Sequence, residues 1–197
     1  MTIIKVHPAE VVTYGTNATA RFGEIVDQLQ ALTTMVDEVQ FEGESAFQFR
    51  TETNVLVKDF NTQIQSAMAA MVTNVQTAVG NIQSSMQGAR VSLEIPPPTP
   101  VTESDARNTE NSEMDTDALS GLNVEAPFQA ITDAFLSHKT ALENVTWLGN
   151  AGDAARGAVA TLTTQATGVC STYAADFRKV IDAQVAASIA ADTPAAN

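Results

Sequence analysis

FGEIVDQLQALTTMVDEVQFEG, residues 22–43, decides the fold. Its apolar residues Phe22, Ile25, Leu29, Leu32, Val36 and Val39 advance by 3-4-3-4-3, which lines one face of an α-helix. The helix face ends at Phe41-Glu42-Gly43: glycine can take the left-handed conformation that reverses the chain, and the aromatic ring caps the end of the apolar seam. The same grammar returns in FQAITDAFLSHKTALENVTWLG, residues 128–149. A slide of 106 residues puts Phe22 on Phe128, Ile25 on Ile131, Asp27 on Asp133, Val39 on Val145, Phe41 on Trp147, Gly43 on Gly149, Arg50 on Arg156 and Leu56 on Leu162. An internal duplication is the economical reading.

Outward from these two stretches, each turn leads into a longer helix. Pro8 sits where a helix start tolerates it, upstream of the first face. After Gly43 the stripe Phe60, Ile64, Met68, Met71, Val75, Val79, Ile82 and Met86 predicts a helix over about 44–89, roughly 70 Å long. After Gly149 the predicted face is Ala155, Val159, Leu162, Ala166, Val169, Tyr173, Phe177, Val180 and Gln184. A helix, a short aromatic-x-Gly turn and a second helix form a hairpin, and a lone hairpin leaves its outer apolar stripe in water. The expected architecture is all-α, two helix-turn-helix hairpins packed as an antiparallel four-helix bundle. Between them, residues 91–123 open with Pro96, Pro97 and Pro98 and hold seven acids against one base. Few large apolar groups interrupt the polar run, so it reads as a flexible acidic linker that buries too little to offset chain entropy. The expected boundaries are therefore a first hairpin over 1–90, the linker over 91–123, a second hairpin over 124–190 and a disordered tail over 191–197.

Composition excludes several functions. The 197 residues carry 10 Lys and Arg against 23 Asp and Glu, a net charge of −13. Nucleic acid is excluded as a partner, because binding it requires clustered cations. The same balance disfavours an anionic membrane surface, and no run reaches the ~18 apolar residues of a membrane span. The opening MTIIKVHPAEVV has no apolar core of signal-peptide length, so the expectation is a protein made in the cytoplasm and secreted, if at all, without a signal peptide. Cys170 stands alone, which leaves no intrachain disulfide and no multi-thiolate zinc site. No catalytic set emerges from His7, His138 or Cys170: His138 falls on the repeat position of Leu32 and reads as a core residue, as does Cys170. The carboxylate pairs Asp37-Glu38 and Glu42-Glu44 flank the first turn, where Glu44 suits a helix start better than a metal loop. No metal, cofactor or enzymatic activity is expected.

The two turns, in FEGESAFQF and WLGNAGDAA, together with the opening Val6-His7-Pro8-Ala9-Glu10, resemble the WXG100 (Esx) family of type VII secretion substrates, twice in one chain. Phe41 stands where that family has Trp, which keeps an aromatic plug. The resemblance implies helical hairpins around the Phe41/Gly43 and Trp147/Gly149 turns and a monomer that imitates a heterodimer. It also implies recognition by the type VII secretion machinery, its ATPase included, and by another secreted protein. Family members carry a Tyr-x-x-x-Asp/Glu export signal near the end of the second helix. Here Ser188 to Asp192 keeps the acid without the tyrosine, while Tyr173 to Asp176 is one residue too short. The expected function is thus a non-enzymatic type VII secretion substrate or adaptor, and the competing expectation is a structural coiled-coil scaffold component of a phage or cell-surface assembly, with no export role, built on the same alanine-rich amphipathic helices.

Overall fold

The computed structural model describes residues 4–86 and 113–192. Among the described residues, five helices and four two-residue strands follow in the order β1 (Lys5–Val6), α1 (Pro8–Glu38), β2 (Phe41–Glu42), α2 (Glu44–Met86), β3 (Glu113–Met114), α3 (Thr116–Ser120), α4 (Glu125–Glu143), β4 (Trp147–Leu148) and α5 (Asn150–Ala191). The chain is all-α, with α1, α2, α4 and α5 as its long elements.

The 3-4 spacing does what it predicts. All six face positions of α1 and its C-cap, Phe22 to Val39, and all six of their counterparts, Phe128 to Val145, are buried. Phe60, Ile64, Met68, Met71, Val75 and Val79 of α2 are buried as well, while the side chains of Ile82 and Met86 lie outside the described residues. On α5 the stripe is rotated from the expected one: Thr163, Cys170 and Ile181 are buried, and Leu162, Val169, Tyr173 and Val180 are half-buried flanks. Helix α5 packs on both α2 and α4, so its buried arc is wide enough to take in residues beside the expected seam.

Aromatic contacts tie these elements together. Phe60 of α2 meets Phe128 of α4 edge-on at 4.9 Å between ring centroids, and Tyr173 of α5 at 5.3 Å; Phe128 in turn meets Phe177 at 5.6 Å. Helices α1 and α4 join through Tyr14, Phe22 and His138, with centroids 5.2 and 4.8 Å from the imidazole.

Each turn is closed by a strand from the other half of the chain. β1 pairs antiparallel with β4, setting Val6 opposite Trp147, and β3 pairs antiparallel with β2, setting Met114 opposite Phe41. The amide of His7 donates to Thr146 O at 3.1 Å, and the amide of Asp115 donates to Gln40 O at 3.3 Å. The Trp147 turn therefore sits at the start of α1 and the Phe41 turn at its end, ~46 Å apart along a helix of 31 residues.

This reciprocity corrects the expected linker boundary. Residues 113–123 are part of the fold, with Leu119 buried. They correspond to the first turns of α1, which in the second half are cut off as α3 by a break at Gly121–Asn123. Pro127, near the start of α4, forbids a continuous helix, because it lacks an amide hydrogen and clashes with the carbonyl four residues back. Arg178 of α5 satisfies the broken backbone: it donates to Ser120 O at 3.0 Å and to Leu122 O at 2.6 Å, and holds Glu125 through two bonds of 2.9 and 2.8 Å. The triple proline and the rest of the expected linker, 91–112, lie outside the described residues, as does the expected tail beyond Asp192.

Candidate functional site

Two turns and one helix end form the candidate site. Gly43 and Gly149 have φ of 102° and 109°, the left-handed region where a Cβ is strained, so each glycine is required by the chain reversal. Phe41 and Trp147 are both buried. Phe41 packs on Phe49 of α2 at 5.9 Å. Trp147 lies against Gly152 so closely that a Cβ there would stand 2.6 Å from Trp147 O and 2.8 Å from the indole. In the first copy the corresponding pair is Phe41 with Ala46, a smaller ring over a larger neighbour.

An arginine anchors each turn from the helix that follows. Arg50 donates to Val39 O at 3.2 Å, and Arg156 donates to Trp147 O at 2.7 Å and to Asp153 at 2.9 Å. The repeat alignment contains this pair, but only the structure shows that both guanidiniums satisfy turn carbonyls.

The Trp147 turn has a second lock. Glu10 Oε2 accepts the Thr146 amide at 2.7 Å while its Oε1 lies 2.7 Å from His7 Nδ1. These contacts, the Thr146 backbone bond above all, hold the Glu10 carboxyl down at about 2. Sequence reasoning missed Glu10: the signal is an acid in the first turn of α1, whose partner lies 136 residues away.

The candidate export residues fall into two separate places. Tyr173 is half-buried on α5, accepts a bond from Gln63 Nε2 at 2.7 Å and stacks beside Phe60, and burial raises its hydroxyl pKa. Asp176 pairs with Lys179 at 2.8 Å. Tyr173 is thus engaged in the α2–α5 seam, whereas the ion pair of Asp176 lies within α5. Ser188 lies about 18 Å further along α5. Its hydroxyl donates to the sulfur of Met114 at 2.9 Å, and Met114 is the residue paired with Phe41. Asp192 caps the C-terminus of α5 and is exposed, as is Ile189. The structure thus brings Ser188 to the Phe41 turn and keeps Tyr173 and Asp176 away from it.

His138 is buried with its Nε2 2.8 Å from the Tyr14 hydroxyl and with Nδ1 unpartnered. Burial, reinforced by Arg21, pushes its pKa down to about 3, so it is neutral at physiological pH. Cys170 is buried and its thiol is pushed up to about 11 by burial. Among the described residues no group of three or more His, Cys, Asp or Glu is placed to hold a metal ion, and no helix is long and apolar enough to cross a membrane.

No family model, no curated protein and no solved structure matches this chain.

Proposed function

We propose that the chain is a non-enzymatic pair of WXG100-like units in one polypeptide. Its two hairpins pack as an antiparallel four-helix bundle, and a type VII system exports it by recognising the C-terminal end of α5. One observation carries the reading: Met114 links the Phe41-x-Gly43 turn to Ser188, so that the turn and the last turn of α5 form one surface at one end of the molecule. The reciprocal closing of each turn by a strand from the other half supports the idea of a heterodimer imitated within one chain. Covalent fusion makes that pairing independent of concentration. The partners on this reading are the secretion ATPase and another secreted protein. Export residues are Ser188 and Asp192, because Tyr173 is engaged in the α2–α5 seam and stands one residue too close to Asp176.

The test is export from the native host, with the protein quantified in culture filtrate and lysate, with and without the secretion ATPase. Wild type is expected in the filtrate only when the ATPase is present. A truncation after Ala187 and the double variant Ser188→Ala/Asp192→Asn are expected to stay in the cell while remaining helical by circular dichroism. Retention of the wild type in every strain would overturn the export reading and leave the structural scaffold in its place.

A further inference from the structure

The two ends of the molecule are built alike, and comparison of them exposes a groove. At the Trp147 end, the first turns of α1 lie over the end of α4: Glu10 takes the Thr146 amide and Tyr14 is buried. At the Phe41 end, α3 stands where those turns stand, with β3 trailing β1 by 108 residues. In that register Ala118 replaces Glu10 and Leu122 replaces Tyr14. Ala118 and Leu122 line an open groove of about 970 Å3 between the C-terminal part of α1 and the segment from α3 to Leu122. Ala31, Met35, Ala118 and Leu122 lie within it, and Asp27 and Glu38 border it on α1. Both carboxylates are exposed, and neither has an ion pair among the described residues.

We propose that this groove docks a cationic amphipathic helix of another protein. Charge complementarity selects the occupant: the ten lining residues include two acids and no base, and Glu42, Glu113 and Asp117 lie on the adjoining strands and α3, with Asp115 at the N-cap of α3. A second copy of this chain, at net charge −13, is repelled by the same field. Asp27 and Glu38 are eleven residues apart on one helix, about 16 Å. A partner helix laid along the groove meets them with basic residues at positions i and i+11, and covers the methionine and alanines with apolar residues at i+4 and i+7. The proposal does not depend on the export reading.

The probe is a fluorescein-labelled helical peptide with Lys at i and i+11 and Leu at i+4 and i+7, titrated against the full chain by anisotropy. A companion peptide has Glu in place of both lysines. The cationic peptide is expected to bind with an affinity that falls as salt rises, and the acidic one at least tenfold more weakly. Asp27→Lys/Glu38→Lys and the groove-filling Ala31→Phe are each expected to weaken binding tenfold or more, with unchanged circular dichroism and melting temperature. Asp133→Lys/Glu143→Lys makes the same change in net charge on α4, outside the groove lining, and is expected to leave binding within twofold. Failure of the cationic peptide to bind would overturn the proposal. So would equal loss from the two charge-reversed pairs, which would mean that net charge alone attracts the peptide, or an Ala31→Phe variant that binds as well as wild type.

Discussion

Replacing Tyr14 and His138 together, as Tyr14→Phe/His138→Leu, is expected to leave stability nearly unchanged at pH 7.5 and to remove most of its acid sensitivity between pH 7.5 and 5. The imidazole is buried against Tyr14 and Phe22, and Arg21 on the same side of α1 further disfavours a second positive charge. Its pKa in the fold is about 3, against an ordinary value of 6.5 in the unfolded chain. Between those values the unfolded state binds a proton that the folded state refuses, so stability is complete above 6.5 and declines as pH falls toward 3. At pH 5 the loss from this one group is about 2 kcal/mol, from 1.36 kcal/mol per unit over about 1.5 units. Glu10 also has a depressed pKa, but its contribution is lost only below the ordinary carboxylate range near 4.5, so the two windows separate.

Urea unfolding of wild type and the double variant at pH 7.5, 6 and 5 measures the difference, and groups shared by the two proteins cancel. At pH 7.5 the variant should lie within about 1 kcal/mol of wild type, because both partners of the 2.8 Å hydrogen bond have become apolar groups of similar shape. Tyr14→Phe alone should cost about 1–3 kcal/mol, because it leaves the imidazole with no partner on either nitrogen. Parallel stability curves for wild type and double variant from pH 7.5 to 5 would refute the reasoning and mean that His138 takes up its proton in the folded state.

Three further perturbations follow from the turns and the break. Gly152→Ala forces a Cβ to within 2.6 Å of Trp147 O and should cost about 1–3 kcal/mol in urea unfolding. Adding Trp147→Phe reproduces the Phe41/Ala46 pair of the first copy and should recover part of that loss, with a coupling above about 0.5 kcal/mol in the double-mutant cycle. Gly149→Ala, at φ 109°, should cost about 1–2 kcal/mol without changing the helical circular dichroism spectrum. Arg178→Ala removes the bonds that hold Ser120 and Leu122, so hydrogen exchange should quicken across 116–124 while residues 22–38 of α1 keep their protection.

The parts of this fold that were legible in the sequence are those where one local rule acts alone. Phe22 to Val39 and Phe128 to Val145 are buried because a 3-4 period leaves a helix only one face to hide, and Gly43 and Gly149 take positive φ because a reversal after an aromatic requires it. The rest depended on contacts between distant residues. Residues 113–123 read as linker because their composition is acidic and polar, yet a two-residue strand and one buried leucine suffice to hold them when Arg178, 58 residues past Ser120, supplies the missing donors. Glu10 gave no sign of its partner for the same reason.

That asymmetry bears on function. A strict duplication would give the molecule two equivalent ends, and any partner would meet both alike. Ala118 and Leu122 in place of Glu10 and Tyr14, and the helix break before Pro127, make the ends different: at one, Glu10 takes the Thr146 amide and Tyr14 is buried, and the other is grooved, acidic and joined to the end of α5 through Met114. The difference between the two turns gives the molecule direction, which the recognition event proposed at a single end requires.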